Sequence, residues 1–281
     1  MEVVEMKKKK PSHSKRRLTL AAMLCLVLGS IGGLTAFAST SDIPDKGWDK
    51  LVGTSMDEMF SSTVSTSNGG TFSVGSQYDS AEGLTYGIAS FTDAGGTEIW
   101  RRVTKGVYKA LNAGIQLRDG SLIAAGVEDN TGLLIKYDQS GQLIWKHNVS
   151  GNGAVGFNSL IATPDGGFVA VGKSYAQSGG DIVDDNNGAA DGYLAKYDSD
   201  GILEWDNQFG SPSNESFNDI AASNDGGFIV SGVAISPVGA TNTGGEITDA
   251  MPYSPTVRDG LLVKFDATGK MVWNNLYGGT A

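Results

Sequence analysis

Five tryptophans, Trp48, Trp100, Trp145, Trp205 and Trp273, recur in one setting along the 281 residues. Four residues before each of the last three stands the Gly of an Asp-x-x-Gly phrase: Asp138 to Gly141, Asp198 to Gly201 and Asp266 to Gly269. Downstream, Asp165-Gly166-Gly167-Phe168-Val169-Ala170-Val171-Gly172 returns as Asp225-Gly226-Gly227-Phe228-Ile229-Val230-Ser231-Gly232, with looser copies from Asn68 and Asp119. From Trp48, Trp100, Trp145 and Trp205 to these starts the distances are 20, 19, 20 and 20 residues. A period held this closely means a small unit stacked on copies of itself, because one such unit cannot bury its own apolar face.

Each unit holds four short apolar or alternating runs; in the third they are 168–171, 193–197, 202–209 and 217–222. Runs rich in Val, Ile, Phe and Tyr between turn formers read as strands. The Asp-x-x-Gly phrases read as hairpin turns in which Gly takes the positive φ. The shortest Trp spacing, 45 residues from Trp100 to Trp145, suits one four-stranded propeller blade. The expected fold is therefore all-β, a β-propeller of about four four-stranded blades. Its Trp-marked units run near 48–99, 100–144, 145–204 and 205–272, with a partial unit at 273–281. Counting from Trp48 gives about 17 strands, four blades and one strand over. Either the two termini complete one blade and close the ring, or the repeats belong to a larger propeller. Two spacings are longer, 60 and 68 residues, and their extra length falls near 174–190 and 234–257, between the first and second strand of the unit. Insertions at equivalent places project from one face, where such loops often carry binding; loops without a role are the alternative.

Before the repeats, Lys7 to Lys10, Lys15, Arg16 and Arg17 precede an uncharged run, 18–38, that closes with Ala36-Phe37-Ala38. This is the pattern of an export signal cleaved after Ala38, leaving 39–281 as the repeat domain, secreted or held at the cell surface. The run also reaches the ~20 residues that span a bilayer, so an uncleaved membrane anchor is the alternative. Cys25 is the single cysteine and lies in this segment, so the remainder has neither disulfide nor thiol chemistry. Residues 1–38 carry 7 Lys+Arg and 2 Asp+Glu; the rest carries 14 basic and 29 acidic residues. That balance speaks against a nucleic-acid partner.

The series Trp205, Phe209-Gly210, Phe217, Ile220, Asp225-Gly226-Gly227-Phe228, Gly232 resembles the repeat of secreted bacterial β-propeller proteins of the SBBP type, over about 48–279. The resemblance implies a bacterial surface or secreted module. The phrase Asp266-Ala267-Thr268-Gly269-Lys270-Met271-Val272-Trp273 is also similar to the tryptophan-docking motif of quinoprotein propellers, one residue shorter between Asp and Gly. That likeness implies a Trp wedged between neighbouring blades. The paired cysteines of quinoprotein alcohol dehydrogenases are missing, so it implies packing and no quinone site.

Motifs of catalysis are thin. The stretch from Gly167 to Ser174 matches the phosphate-binding P-loop letter by letter, but its apolar middle and its copy at Gly227–Gly232 make it a strand. The stretch from Gly151 to Gly156 matches a dinucleotide fingerprint, yet Pro164-Asp165-Gly166 leaves no room for the helix it needs. After the signal there is one histidine, His147, and no Gly-x-Ser-x-Gly elbow, so neither a catalytic triad nor zinc is expected. The remaining ligand candidate is weakly bound Ca²⁺ on Asp181, Asp184, Asp185, Asn186 and Asp191, where oxygen donors crowd one insertion; a solvated polar loop is the alternative. No other cofactor is expected. Function is then that of an exported, non-catalytic binding or scaffold module for a protein or glycan at the cell surface. An exported polysaccharide hydrolase or lyase on the same fold is the alternative.

Overall fold

The computed structural model describes residues 53–106, 108–235, 247 and 258–278. Trp48, the segment 1–38 and nearly all of the second insertion lie outside the described residues. The described strands are sixteen: β1 (Asp57–Ser65), β2 (Thr71–Asp79), β3 (Leu84–Thr92), β4 (Glu98–Thr104), β5 (Lys109–Gln116), β6 (Leu122–Glu128), β7 (Thr131–Tyr137), β8 (Leu143–Val149), β9 (Val155–Ala162), β10 (Phe168–Ser174), β11 (Asp191–Tyr197), β12 (Leu203–Phe209), β13 (Asn214–Ala222), β14 (Phe228–Ile235), β15 (Arg258–Phe265) and β16 (Met271–Tyr277). No helix occurs among the described residues.

The strands form four antiparallel sheets, β1–β4, β5–β8, β9–β12 and β13–β16, each in simple sequential order. Trp100, Trp145, Trp205 and Trp273 lie in the fourth strands of their sheets, so a Trp-to-Trp unit joins that strand to the first three strands of the next sheet. The insertions accordingly connect second and third strands, β10 to β11 and β14 to β15. The apparent P-loop is β10 itself.

Apolar side chains collect in three clusters, one at each seam between consecutive sheets. Phe72, Phe91 and Trp100 pack on Leu122, Leu133 and Tyr137. Leu134 and Ala125 meet Phe157, Phe168 and Tyr193. Val171, Leu194 and Phe209 meet Phe217, Phe228 and Phe265. The third strands β3, β7 and β11 are covered on both faces over most of their length, which is why Gly132 to Tyr137 reads as an unbroken apolar run apart from Lys136. The arrangement is propeller-like, and among the described residues the sheets do not close into a ring.

Two local devices set the geometry of every sheet. In the Asp-x-x-Gly turns between third and fourth strands, the Asp carboxylate accepts backbone N–H groups two and four residues on, as Asp198 does from Asp200 (2.8 Å) and Ile202 (2.9 Å). The Gly follows at positive φ, +74° at Gly96, +77° at Gly141, +78° at Gly201 and +82° at Gly269. The first strand of each sheet carries a bulge at Ser61, Asn112, Asn158 or Asn218, where the register against the second strand slips. Opposite it stands Gly75, Gly126, Gly172 or Gly232, because a β-carbon there would overlap a first-strand carbonyl. That explains the closing Gly of the Asp-Gly-Gly phrase.

Candidate functional site

The repeated lysines are structural. Lys136, Lys196 and Lys264 are buried in third strands. Each reaches the Asp of the preceding turn in its own sheet: Asp119 at 3.3 Å, Asp165 at 2.9 Å and Asp225 at 2.6 Å. Hydrogen bonds from Thr163, Lys196 and Gly167 hold the Asp165 carboxyl down at about 2, against the rise that burial would cause. In the first sheet both partners change together: Phe91 replaces the lysine and Asn68 the aspartate. That paired change was legible in the aligned repeats and marks the contact.

The insertion 174–190 is an ordered cap on the loop face. Ala176 and Ile182 enter the core of the second seam. Its backbone is tied to three neighbours: Asp181 N–H donates to Ser150 O (2.8 Å), Val183 N–H to Asp206 Oδ2 (2.9 Å) and Ala189 N–H to Ser213 O (3.0 Å). At its start Tyr175 is 45% exposed, with Lys173 Nζ 5.5 Å above its ring centre. The two side chains separate two cavities. One of about 250 Å³ is lined by Asn112, Asp129, Asn130 and Asn158. The other, of about 300 Å³, is lined by Glu215, Asn218 and Arg258. Carboxamides, one guanidinium and an exposed tyrosine thus share one face.

The candidate calcium ligands are dispersed by their own hydrogen bonds. Asp181 Oδ2 accepts from Ser150 N–H (2.9 Å), and Asp184 Oδ2 from Gln208 N–H (2.9 Å). Asp185 accepts from the Ser178 hydroxyl and its N–H, while Asn186 donates to Ser174 O (3.1 Å). Asp191 Oδ2 accepts from Asn187 N–H (2.7 Å). Among the described residues no three His, Cys, Asp or Glu side chains are grouped to hold a metal ion. Asp191 is instead brought to Glu215: both carboxyls press on Gly210, and the two residues are 0% and 2% exposed. Burial pushes the Asp191 carboxyl up to about 6, Asp184 adding repulsion, and burial with the Asp191 charge pushes Glu215 up to about 7. Nothing in the sequence joined these two acids, because their partnership depends on how the third and fourth sheets meet.

His147 lies on a separate, outward groove of about 590 Å³ beside Asp181 and Ile202. Its ring stacks on Trp145 at 4.6 Å, and Nδ1 lies 3.2 Å from Gly201 O, so it serves packing between sheets.

No protein-family model matches this chain, and no curated protein matches it in sequence. Among solved structures, Kuenenia stuttgartiensis hydrazine synthase is similar at TM-score 0.47 and 13% identity, over 80% of this chain and 68% of that one. A likeness of that size carries no argument about activity. Among the described residues no helix is long and apolar enough to cross a membrane.

Proposed function

We propose that this chain is an exported, non-catalytic β-propeller domain that binds a glycan or protein at the cell surface through its insertion-bearing face. The observation that carries the reading is the fixed insertion 174–190, which holds Tyr175 and Lys173 between two amide-lined cavities. A planar ring with neighbouring carboxamides suits the apolar face and hydroxyls of a sugar, and preorganisation spares the cost of ordering a loop. Each of the two cavities is bordered by a single carboxylate, Asp129 or Glu215, and Asp191 lines neither; without the paired carboxylates that glycoside hydrolysis needs, the site favours binding over hydrolysis. Export by residues 1–38 belongs to the same reading.

The test is a glycan array and surface-retention assay with Tyr175→Ala and with a variant whose residues 176–189 are replaced by a short Gly-Ser linker. At least a tenfold loss of binding in Tyr175→Ala, with an unchanged melting profile, is expected. Undiminished binding in both variants refutes the site, and a sugar product released from a polysaccharide panel refutes the non-catalytic reading.

A further inference from the structure

The three seams between sheets are built on one plan, and it has a direction. Each of the first three sheets supplies a fourth-strand tryptophan to a turn of the sheet that follows, and the second and third also supply a bulge asparagine to its first-strand carbonyl. At the first seam Trp100 Nε1 donates to Gln139 O (2.9 Å) and Arg102 Nε to Gly141 O (2.7 Å). At the second, Trp145 covers Gly201, Lys136 Nζ donates to Ser199 O (2.8 Å) and Asn112 Nδ2 to Phe157 O (2.8 Å). At the third, Trp205 covers Gly269 and Asn158 Nδ2 donates to Phe217 O (2.7 Å).

The fourth sheet carries the same supplying half, and among the described residues nothing is set against it. Trp273 is 40% exposed, whereas Trp100 is 7% exposed. Four residues on, Tyr277 is 58% exposed, where its counterparts Val149 and Phe209 are 4% and 0% exposed. Asn218, at the bulge, is exposed and its side chain makes no hydrogen bond among the described residues, although the side chains of Asn112 and Asn158 each bond a carbonyl of the following sheet. The first sheet of this chain, or of a second copy, is a poor receiver. Its turn glycine, Gly96, is already buried, as are Gly141, Gly201 and Gly269.

We propose that the flank formed by Trp273 and Asn218 is an internal seam, and that its occupant is a fifth four-stranded sheet of the same repeat carried on the same polypeptide beyond residue 281. Continuity along the chain follows from the three seams already seen. In each, the receiving sheet starts a few residues after the tryptophan strand, as β13 starts at Asn214 after β12 ends at Phe209. The exit phrase Phe209-Gly210 has its copy in Tyr277-Gly278. The fifth sheet would offer an uncovered Asp-x-x-Gly turn to the Trp273 indole and a first-strand carbonyl to Asn218.

The test reads the natural gene past codon 281, together with the intact mass of the native protein. The expected result is an open frame with an Asp-Gly-Gly or Asn-Gly-Gly turn 19 or 20 residues after Trp273, the spacing kept four times already. An Asp-x-x-Gly phrase with a tryptophan four residues after its Gly should follow. A stop codon at 282, or a continuation without these phrases, overturns the proposal. In the native protein, Trp273→Phe should weaken stability as Trp205→Phe does, and the Trp273 indole N–H should exchange slowly with solvent. A freely exchanging indole with a silent Trp273→Phe also overturns it, as does a Trp273 indole protected only at concentrations where the protein dimerises, which would make the occupant a second copy.

Discussion

Replacing Gly141 by Ala should cost more than its backbone alone explains, and the excess measures the tryptophan seam. Gly141 sits at φ +77°, where an L side chain costs ~1–2 kcal/mol. Its β-carbon would also lie 2.5 Å from the indole of Trp100, so the ring must move. Displacing a packed ring costs ~1–3 kcal/mol. Loosening the hydrogen bond from Trp100 Nε1 to Gln139 O adds about 1 kcal/mol. Gly166 provides the control: its φ is +96°, and nothing lies within 4 Å of where its β-carbon would be. Gly166→Ala should therefore lose ~1–2 kcal/mol by the conformational cost alone. Gly141→Ala should lose ~3–6 kcal/mol, a drop of ten degrees or so in Tm for a domain of this size. Urea unfolding followed by tryptophan fluorescence gives both values, and emission from the folded Gly141→Ala protein should shift to the red. Equal losses in the two variants, within about 0.5 kcal/mol of each other, would refute the claim that the indole clamps the seam.

Stability should also fall as pH rises from about 4 to 7, because Asp191 and Glu215 titrate near 6 and 7 in the fold against 3.8 and 4.5 outside it. The folded state keeps protons there that the unfolded chain releases; at 1.36 kcal/mol per pH unit the two coupled sites together account for roughly 3–5 kcal/mol. Asp184 opposes ionisation, Lys173 and Arg258 line the cavity at Glu215, and Glu215→Gln should flatten the upper half of a Tm-against-pH curve; a flat wild-type curve refutes the pair. Glu128, lowered to about 2 against its burial by Lys109, Lys146 and Asn148, contributes with Asp165 and Asp225 to the loss of stability in acid, its share being lost as pH falls from about 4.5 to 2. Glu128→Gln leaves Lys109 buried without its carboxylate and should cost ~3–5 kcal/mol in chemical denaturation, whereas Lys109→Met with Glu128→Leu should recover most of it. With Asp181, Asp184 and Asp185 each engaged by N–H or hydroxyl donors, calcium and chelator should give melting points within about a degree of each other, because only binding to the folded state raises Tm; a larger shift would mean that the loop rearranges around a bound ion.

The sequence alone determined the unit. A tryptophan, an Asp-x-x-Gly turn and an Asp-Gly-Gly turn at a fixed spacing admit only short strands joined by hairpins, since local turn chemistry and the period-two pattern are properties of a few neighbouring residues. The four runs read from the third unit became β10, β11, β12 and β13, with their ends moved by no more than three residues. Where sheets begin and end was not legible, because the strongest phrase straddles a seam: the repeat advertises its tightest contact, and that contact joins two sheets. The candidate site divides in the same way. Tyr175 could be marked as an exposed aromatic in an insertion from sequence, but its pairing with Lys173 and the cavities on either side come from three sheets converging on one face. Asp191 and Glu215 stand 24 residues apart and share no phrase. Only the packing of the third sheet on the fourth presses both carboxyls against Gly210 and strips them of water. Spacing along the chain encodes what hydrogen bonds can reach locally, whereas burial and charge proximity are set by how the sheets stack.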